Sequence, residues 1–419
     1  MWNRRDALKM GLASWLLAGL STQPLAGNPG RTGVGPRYVV VLMLRGGLDA
    51  VYSTDPKDRS EVDPRVDIPY SPAEVIETGD LRLGPHLGPL RTYAKRMAIV
   101  RGLQVRTANH ESGALQMLRM RTAVSRSMPG ILEIIGSRRD GQPLANVTLG
   151  RTSSFEQSSG SLGAPTGESD QTLFDALDKV KPKDFELLQQ VYEEHARRVM
   201  SWPASGERDQ TEEHLKQVSA LFDRLGEVPA FQDADWQDPS KDHPVSRDLQ
   251  RTLWLIQNDL TRGVYLKVYL DWDSHYDNTR KQVQANGYFF PLLARFLGEL
   301  KSRQNAHGYL ADNTLIVMGS ELGRFPFLNG NQGKDHFPET NLVFMGPGVA
   351  AGEGRGAVYG DTGRLMEGQK VSLRTGRRDD VAGVNLCLDD VGATLLHMTG
   401  FQPELYGYRG NRLSFLEQT

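Results

Sequence analysis

With 419 residues, 24% of them charged, and a formal net charge of -2, the chain can enclose a large core and shows no basic excess that would mark a nucleic-acid or membrane-surface partner. Its single cysteine, Cys387, rules out an intrachain disulfide and leaves no thiolate set for structural zinc or an iron–sulfur cluster. The length allows two or three average domains, but α/β folds often use as much for one.

The chain begins with Asn3-Arg4-Arg5-Asp6-Ala7-Leu8-Lys9 and then the apolar run Met10 to Leu20, shorter than the roughly 20 residues that span a bilayer. Paired arginines before a short, moderately apolar stretch resemble a twin-arginine export signal; a short membrane anchor or a frayed helix is the alternative at this length. Residues 1–27 are read as the signal peptide, with cleavage near Ala26 or Gly27. The expectation is therefore a periplasmic or extracellular protein, handled by the twin-arginine export machinery and without a stable membrane span once the signal is removed. That route carries folded proteins, commonly ones that load a cofactor or metal first.

Residues 28–419 are read as one α/β domain. Gly27 to Pro36 is a Gly/Pro-rich leader. Tyr38 to Leu44 is a continuous apolar run, the pattern of a central strand covered on both faces. It ends in Arg45-Gly46-Gly47-Leu48-Asp49, where the glycines permit a tight turn and Asp49 lies at the strand's carboxyl end. Ala98-Ile99-Val100 is a short second strand, and Asn109 to Met120 a helix begun at a polar cap. Arg151 to Asp170, dense in Ser and Gly, reads as a long surface loop. Phe185 to Met200, Thr211 to Leu225 and Val245 to Thr261 read as helices of an insertion covering about residues 171–262. Val264 to Leu270 is the next strand and runs into Asp271-Trp272-Asp273-Ser274-His275. A long amphipathic helix, about Tyr288 to Gln304, feeds the strand Thr314 to Met318; strand, helix, strand fits a crossover in a mostly parallel sheet with helices on both faces. Asn341 to Met345 is a further strand, and Leu388 to Thr399 a last helix with Asp389 and Asp390 in its first turn, where carboxylates favour the helix dipole. Cys387 beside it is read as a packed small hydrophobe.

The chemistry concentrates just past three strands. Asp49 follows the first, Asp273 and His275 the middle one, and Glu321 the run Thr314 to Met318, with Arg324 and the pair Asp335-His336 close behind. In an α/β protein, side chains leaving the carboxyl ends of parallel strands converge on one crevice. Carboxylate and imidazole together are donors for a divalent metal such as Zn²⁺, Mn²⁺ or Ca²⁺. A single Asp-x-His is weak on its own, because polar loops are the ordinary connection. Three such groups at successive strand ends are more specific.

With these residues in view, the chain resembles the bacterial secreted family catalogued as domain of unknown function 1501, related in fold to the alkaline phosphatase and sulfatase superfamily. The matching segments are Leu44 to Asp49, where the family more often has Asn at 48, and Asn109-His110-Glu111-Ser112. Trp272-Asp273-Ser274-His275, with Asp rather than Gly at 271, Glu321 to Arg324 and Asp335-His336 also match. The C-terminal Asp389 to His397 looks like the helix that closes the sheet in sulfatase-like proteins. The resemblance implies an alkaline-phosphatase-like fold in which strand-end carboxylates and histidines hold one or two divalent metals and a nucleophile at a helix start attacks a phosphate or sulfate ester, of a small molecule or a polymer. On that pattern Asp49, Asp273, His275 and Glu321 are metal ligands, with Glu321 standing where the superfamily has Asp, and Asp335 and His336 complete the site. Whether Asp271 or Asp273 coordinates stays open.

Ser112, beside His110 and Glu111, is the candidate nucleophile, with His110 and Arg324 as catalytic partners; serine there is equally a helix cap. Arg324 could clamp an oxyanion bidentately or pair with Glu321. No formylglycine sulfatase signature is present, since Cys387 is in the wrong context. His86 resembles a family position and is alternatively read as ordering a turn only, and His397 is read as a hydrogen-bonded core residue. His195, His214, His243 and His307 are read as solvated. The leading expectation is an exported metal-dependent hydrolase. The alternatives are a non-catalytic exported binding or assembly protein of the same fold, and a metal enzyme of another class such as a phosphomutase or lyase.

Overall fold

The computed structural model describes residues 35–125, 128–138, 142, 144–150, 194, 236 and 244–418. The sequence-predicted signal peptide, the Ser/Gly-rich loop Arg151 to Asp170 and the helices Phe185 to Met200 and Thr211 to Leu225 lie outside these residues, as do His195, His214 and His243.

Among the described residues a seven-stranded sheet forms the centre. Its strands in chain order are β1 (Tyr38–Arg45), β2 (Met97–Gln104), β3 (Leu144–Leu149), β4 (Thr261–Tyr269), β5 (Thr314–Gly319), β6 (Glu339–Met345) and β7 (Ala357–Tyr359). They lie in the order β7-β2-β6-β5-β1-β4-β3. Parallel pairing joins β5, β1, β4 and β3, and also β7 and β2. Only β6 is reversed, antiparallel to both β5 and β2. The mostly parallel sheet read from the sequence is therefore the one the chain forms.

β1 shows why these strands are central. Tyr38, Val40, Leu42 and Leu44 enter one core while Val39, Val41 and Met43 enter the other, so a strand buried on both faces must be apolar throughout. The first core is closed by α3 (Pro244–Gln257) and α4 (Asn278–Ser302), the second by α1 (His110–Arg119), α2 (Ile131–Ser137) and α5 (Leu388–Met398). α4 starts ten residues before the sequence-predicted Tyr288, at Asn278. Its first turns carry polar residues, Lys281, Gln282 and Asn286, that are nevertheless buried, so an apolar stripe does not mark them. α3 is the described end of the sequence-predicted insertion, and Thr261 and Arg262 already belong to β4 of the central sheet.

Register places the site. Arg45 pairs with Tyr269 and Met43 with Gly319, so β1, β4 and β5 end side by side and release Gly46-Gly47, Asp271 to Asp273 and Ser320-Glu321 into one space. Cys387 is buried, and burial pushes its thiol up to about 11, which suits a packing role. His397 is half-buried beside Glu417 at 3.0 Å, and His307 lies 3.3 Å from Asp259.

Candidate metal centre

Four donor groups meet at this edge: His110, Asp273, His275 and His336 present ligand atoms that all lie within 4.8 Å of one another. Each comes from a different local device. His110 is the first residue of α1, which is capped by Asn109 through the Ser112 amide. Asp273 is aimed by its neighbour Trp272, which is fully buried and anchored by its indole N–H on Asn286 at 2.8 Å. The turn above leaves no room for a side chain at Gly46: its φ is +121°, and a Cβ there would lie 2.7 Å from the Asp273 amide nitrogen. His336 sits in a short antiparallel ribbon, His336–Phe337 against Gly323–Arg324. The loop before it docks on the His275 turn through Lys334 N–H to Ser274 O, 2.8 Å, and Asn329 Nδ2 to His275 O, 3.0 Å.

The hydrogen bonds fix which nitrogen of each ring faces inward. His336 Nδ1 is 2.6 Å from the carbonyl of Ala108, which can only accept, so that nitrogen carries the proton,. His275 Nδ1 faces Asp335 at 3.1 Å, and His110 Nδ1 faces Glu321 at 2.6 Å. In the neutral form all three rings then turn Nε2 lone pairs toward Asp273 Oδ1, at 3.4 Å from His110, 3.4 Å from His275 and 3.9 Å from His336. His275 and His336 bring their Nε2 atoms to 2.8 Å, a repulsive approach of two lone pairs unless a cation or a proton lies there. His110 Nε2 is buried without a hydrogen-bond partner, a costly state for a polar atom. Three imidazoles and one carboxylate so arranged fit a divalent ion with ligand bonds of about 2.0–2.2 Å, and nitrogen-rich donors suit zinc or a similar transition metal better than calcium.

The surrounding charge favours a cation at this point, a proton on His110 in the metal-free protein or an ion in its place. Burial works against a charge on His110, but its contacts with Asp273 and Glu321 outweigh it and raise the imidazole to about 9. Burial also opposes the charge of Asp273, yet His110, His336 and Arg324 hold its carboxyl well below the usual range. Asp335 is lowered as well, chiefly by its hydrogen bond to His275.

The sequence-derived site residues fall into distinct places. Asp273, His275 and His336 come together as donors, joined by His110, which the sequence suggested as a catalytic partner. Glu321 and Asp335 stand behind His110 and His275 and hold their outer nitrogens, the arrangement that orients metal-binding histidines. Asp49 is away from this group: it is buried against Lys334 Nζ at 2.8 Å and Asn278 Nδ2 at 3.0 Å. Asp271 pairs outward with Lys281 at 2.9 Å, so Asp273 is the member of that pair at the cluster. Arg324 neither stands free as a clamp nor pairs with Glu321. Its guanidinium binds Asp273 at 2.6 Å and the carbonyls of Gly46, Gly47 and Lys334, because it is buried beneath the turn it supports. Ser112 is exposed in the first turn of α1, two residues beyond His110. The sequence reading did not find Lys334 or the buried amides of Asn278, Gln282 and Asn286, which hold Asp49 and the Trp272 turn. Helical spacing from Asn278 to Gln282 to Asn286 is the one signal that could have marked them.

Fold and site together define an α/β protein with a histidine-rich, metal-ready centre at the carboxyl edge of its parallel strands. The chain belongs to the family described as protein of unknown function (DUF1501), whose model matches residues 36–415. No curated protein matches it in sequence. Among solved structures it is similar to the lipoteichoic acid synthase LtaP from Listeria monocytogenes, at 10% identity over 98% of this chain and 82% of that one, with a TM-score of 0.43. It is also similar to a protein in the alkaline phosphatase superfamily from Vibrio parahaemolyticus (11%, 98% and 78%, 0.42). A third likeness is to the C-terminal periplasmic domain of EptC from Escherichia coli in complex with Zn (11%, 95% and 92%, 0.41).

Proposed function

We propose that this protein is an exported, metal-dependent hydrolase of phosphate or sulfate esters. The observation that carries the reading is the convergence of three Nε2 atoms on Asp273 with every outer nitrogen already held by an acceptor. His110, His275, His336 and Asp273 would hold the ion. When bound, a divalent cation there polarises an ester oxygen and makes water a stronger nucleophile at neutral pH. Glu321 and Asp335 keep the Nδ1 protons in place, and Arg324 fixes Asp273 against the Gly46 turn. Among the described residues, Ser112, exposed two residues beyond His110, is the candidate side-chain nucleophile. The ester class and the export step rest on the sequence resemblance and on Arg4-Arg5.

One observation favours the second reading, a non-catalytic exported binding protein. Asp49, which the resemblance would make a ligand, is spent on the buried Lys334 pair. Turnover of 4-nitrophenyl phosphate, 4-nitrophenyl sulfate and bis(4-nitrophenyl) phosphate by protein loaded with zinc or manganese separates the two. The hydrolase reading expects activity that His275→Ala abolishes, and Ser112→Ala reports on the nucleophile. Metal-loaded, folded protein inert toward all three esters would favour the binding reading.

A further inference from the structure

The charge balance around the cluster narrows the esters it fits; this step rests on the hydrolase reading. Among the described residues, the cations touching the cluster are already engaged: Arg324 with Asp273 at 2.6 Å, Arg45 with Glu111 at 2.7 Å and Lys281 with Asp271 at 2.9 Å. Arg324 is buried, and its remaining contacts are backbone carbonyls, so it cannot swing toward an incoming anion. Four carboxylates, Asp273, Glu321, Asp335 and Glu111, stand against two guanidinium groups, Arg45 and Arg324. One divalent ion brings that set to neutrality and leaves no counter-charge over. A phosphate monoester carries close to two negative charges at neutral pH, whereas a phosphodiester or a sulfate monoester carries one. In a partly buried site, an uncompensated unit charge is a large handicap.

The rim adds the second constraint. Large apolar side chains that stay exposed among the described residues include Tyr276 (57%), Phe325 (39%) and Leu328 (37%), and all three sit on the two loops that build the cluster. Tyr276 follows His275 directly, and its ring lies over Lys281 Nζ at 3.7 Å. Phe325 donates its amide N–H to Asp335 O at 2.7 Å and packs its ring edge-on to Phe337, the residue after His336. Leu328 instead lines a pocket with Arg59, Arg65 and Phe327, so the rim beside the cluster consists of Tyr276 and Phe325. Tyr276 and Gln332 pair across the two loops. Among the described residues the loops that carry His275 and His336 thus also carry exposed aromatic side chains, and the cation beneath the Tyr276 ring, Lys281, is paired with Asp271.

We propose that the site takes a singly charged ester, a phosphodiester or a sulfate monoester, whose organic group lies on the rim of Tyr276 and Phe325. Calorimetric titration of the zinc-loaded protein with phenyl phosphate, dimethyl phosphate, methyl phenyl phosphate, diphenyl phosphate and phenyl sulfate tests both parts. Methyl phenyl phosphate and phenyl phosphate share a ring and differ in charge, so the first should bind about tenfold tighter. Phenyl sulfate should do the same if sulfate is the acid recognised; tight binding by either supports the proposal, and their order identifies the acid. The second ring of diphenyl phosphate should add about three- to tenfold, a gain lost in Tyr276→Ser and Phe325→Ser while dimethyl phosphate, which has the same charge and no ring, is held as before. Phenyl phosphate binding as tightly as both singly charged esters overturns the charge inference. Unchanged diphenyl phosphate affinity in the rim variants overturns the rim. If the binding order holds but no nitrophenyl counterpart is turned over, the hydrolase reading fails and the recognition stands; turnover with the order inverted does the reverse.

Discussion

Replacing Glu321 by glutamine perturbs the centre without touching a donor. The carboxylate is fully buried and accepts from Gly46 N–H at 2.9 Å, the Ser320 hydroxyl at 3.0 Å and His110 Nδ1 at 2.6 Å. Gly46 N–H and His110 Nδ1 share Oε1, so an amide of the same shape can keep its oxygen there and turn the Ser320 side, Oε2, into a donor; what His110 then loses is the negative charge beside it. In metal-free protein, Glu321 and Asp273 together raise His110 from 6.5 to about 9, a rise worth on the order of 3 kcal/mol between protonation states. As one of two carboxylates, Glu321 supplies on the order of half. Because the folded value lies above the unfolded one, this stabilisation is complete below pH 6.5 and is lost as pH rises through about 9,. Glu321→Gln should therefore be less stable than the parent by about 1–2 kcal/mol at pH 6 in urea denaturation with chelator present. The gap should narrow by pH 9.5. Zinc affinity at neutral pH should fall about 10- to 100-fold, as for other partners of metal-binding histidines. A stability gap independent of pH together with an unchanged zinc affinity would refute the assignment.

Further expectations follow from individual contacts. Lys334→Ala leaves Asp49 charged and buried and should cost about 3–5 kcal/mol in denaturation; adding Asp49→Asn should recover part of it, and strictly additive losses would show that the two are uncoupled. Asp335→Asn changes an exposed carboxylate, so stability should move by less than about 0.5 kcal/mol while zinc affinity drops about tenfold; an unchanged affinity would deny it a role in orienting His275. Gly46→Ala forces a Cβ onto the Asp273 amide and should weaken zinc binding more than Gly330→Ala, a position with open space around it. Arg4→Lys with Arg5→Lys should hold the precursor in the cytoplasm on fractionation, and continued export would contradict the twin-arginine assignment.

Much of this fold was legible because its central strands are apolar on both faces. The run Tyr38 to Leu44 and the run Thr314 to Met318 match β1 and β5 to within a residue, and the cap at Asn109 marks the start of α1. β3, Leu144–Leu149, went unseen, since Asn146 and Thr148 break the apolar run on an edge strand with one neighbour. β2 was read too short because Arg101 and Gly102 interrupt it; in the sheet, Arg101 turns to Asp55 at 2.9 Å instead of ending the strand. At the site, residue types marked the sheet edge where His110, Asp273, His275 and His336 lie together, but they do not rank the carboxylates. Whether a carboxylate binds an ion or the histidine behind it depends on a few ångströms of reach. Glu321, inserted under the Gly46 turn, and Asp335, outside His275, resemble ligands in sequence and stand one position back in space. The pairing of Asp49 with Lys334 was not legible by inspection, because the two are 285 residues apart.

The central claim is that His110, Asp273, His275 and His336 form one metal site. Zinc and cobalt titration of chelator-stripped protein tests it most directly, with the visible spectrum of the cobalt form reporting ligand geometry. The expected result is one equivalent bound per chain with a tetrahedral, nitrogen-rich spectrum, lost in His275→Ala and Asp273→Ala and retained in Asp49→Asn. Folded protein that binds no stoichiometric metal, or binding abolished by Asp49→Asn and indifferent to His275→Ala, would contradict it.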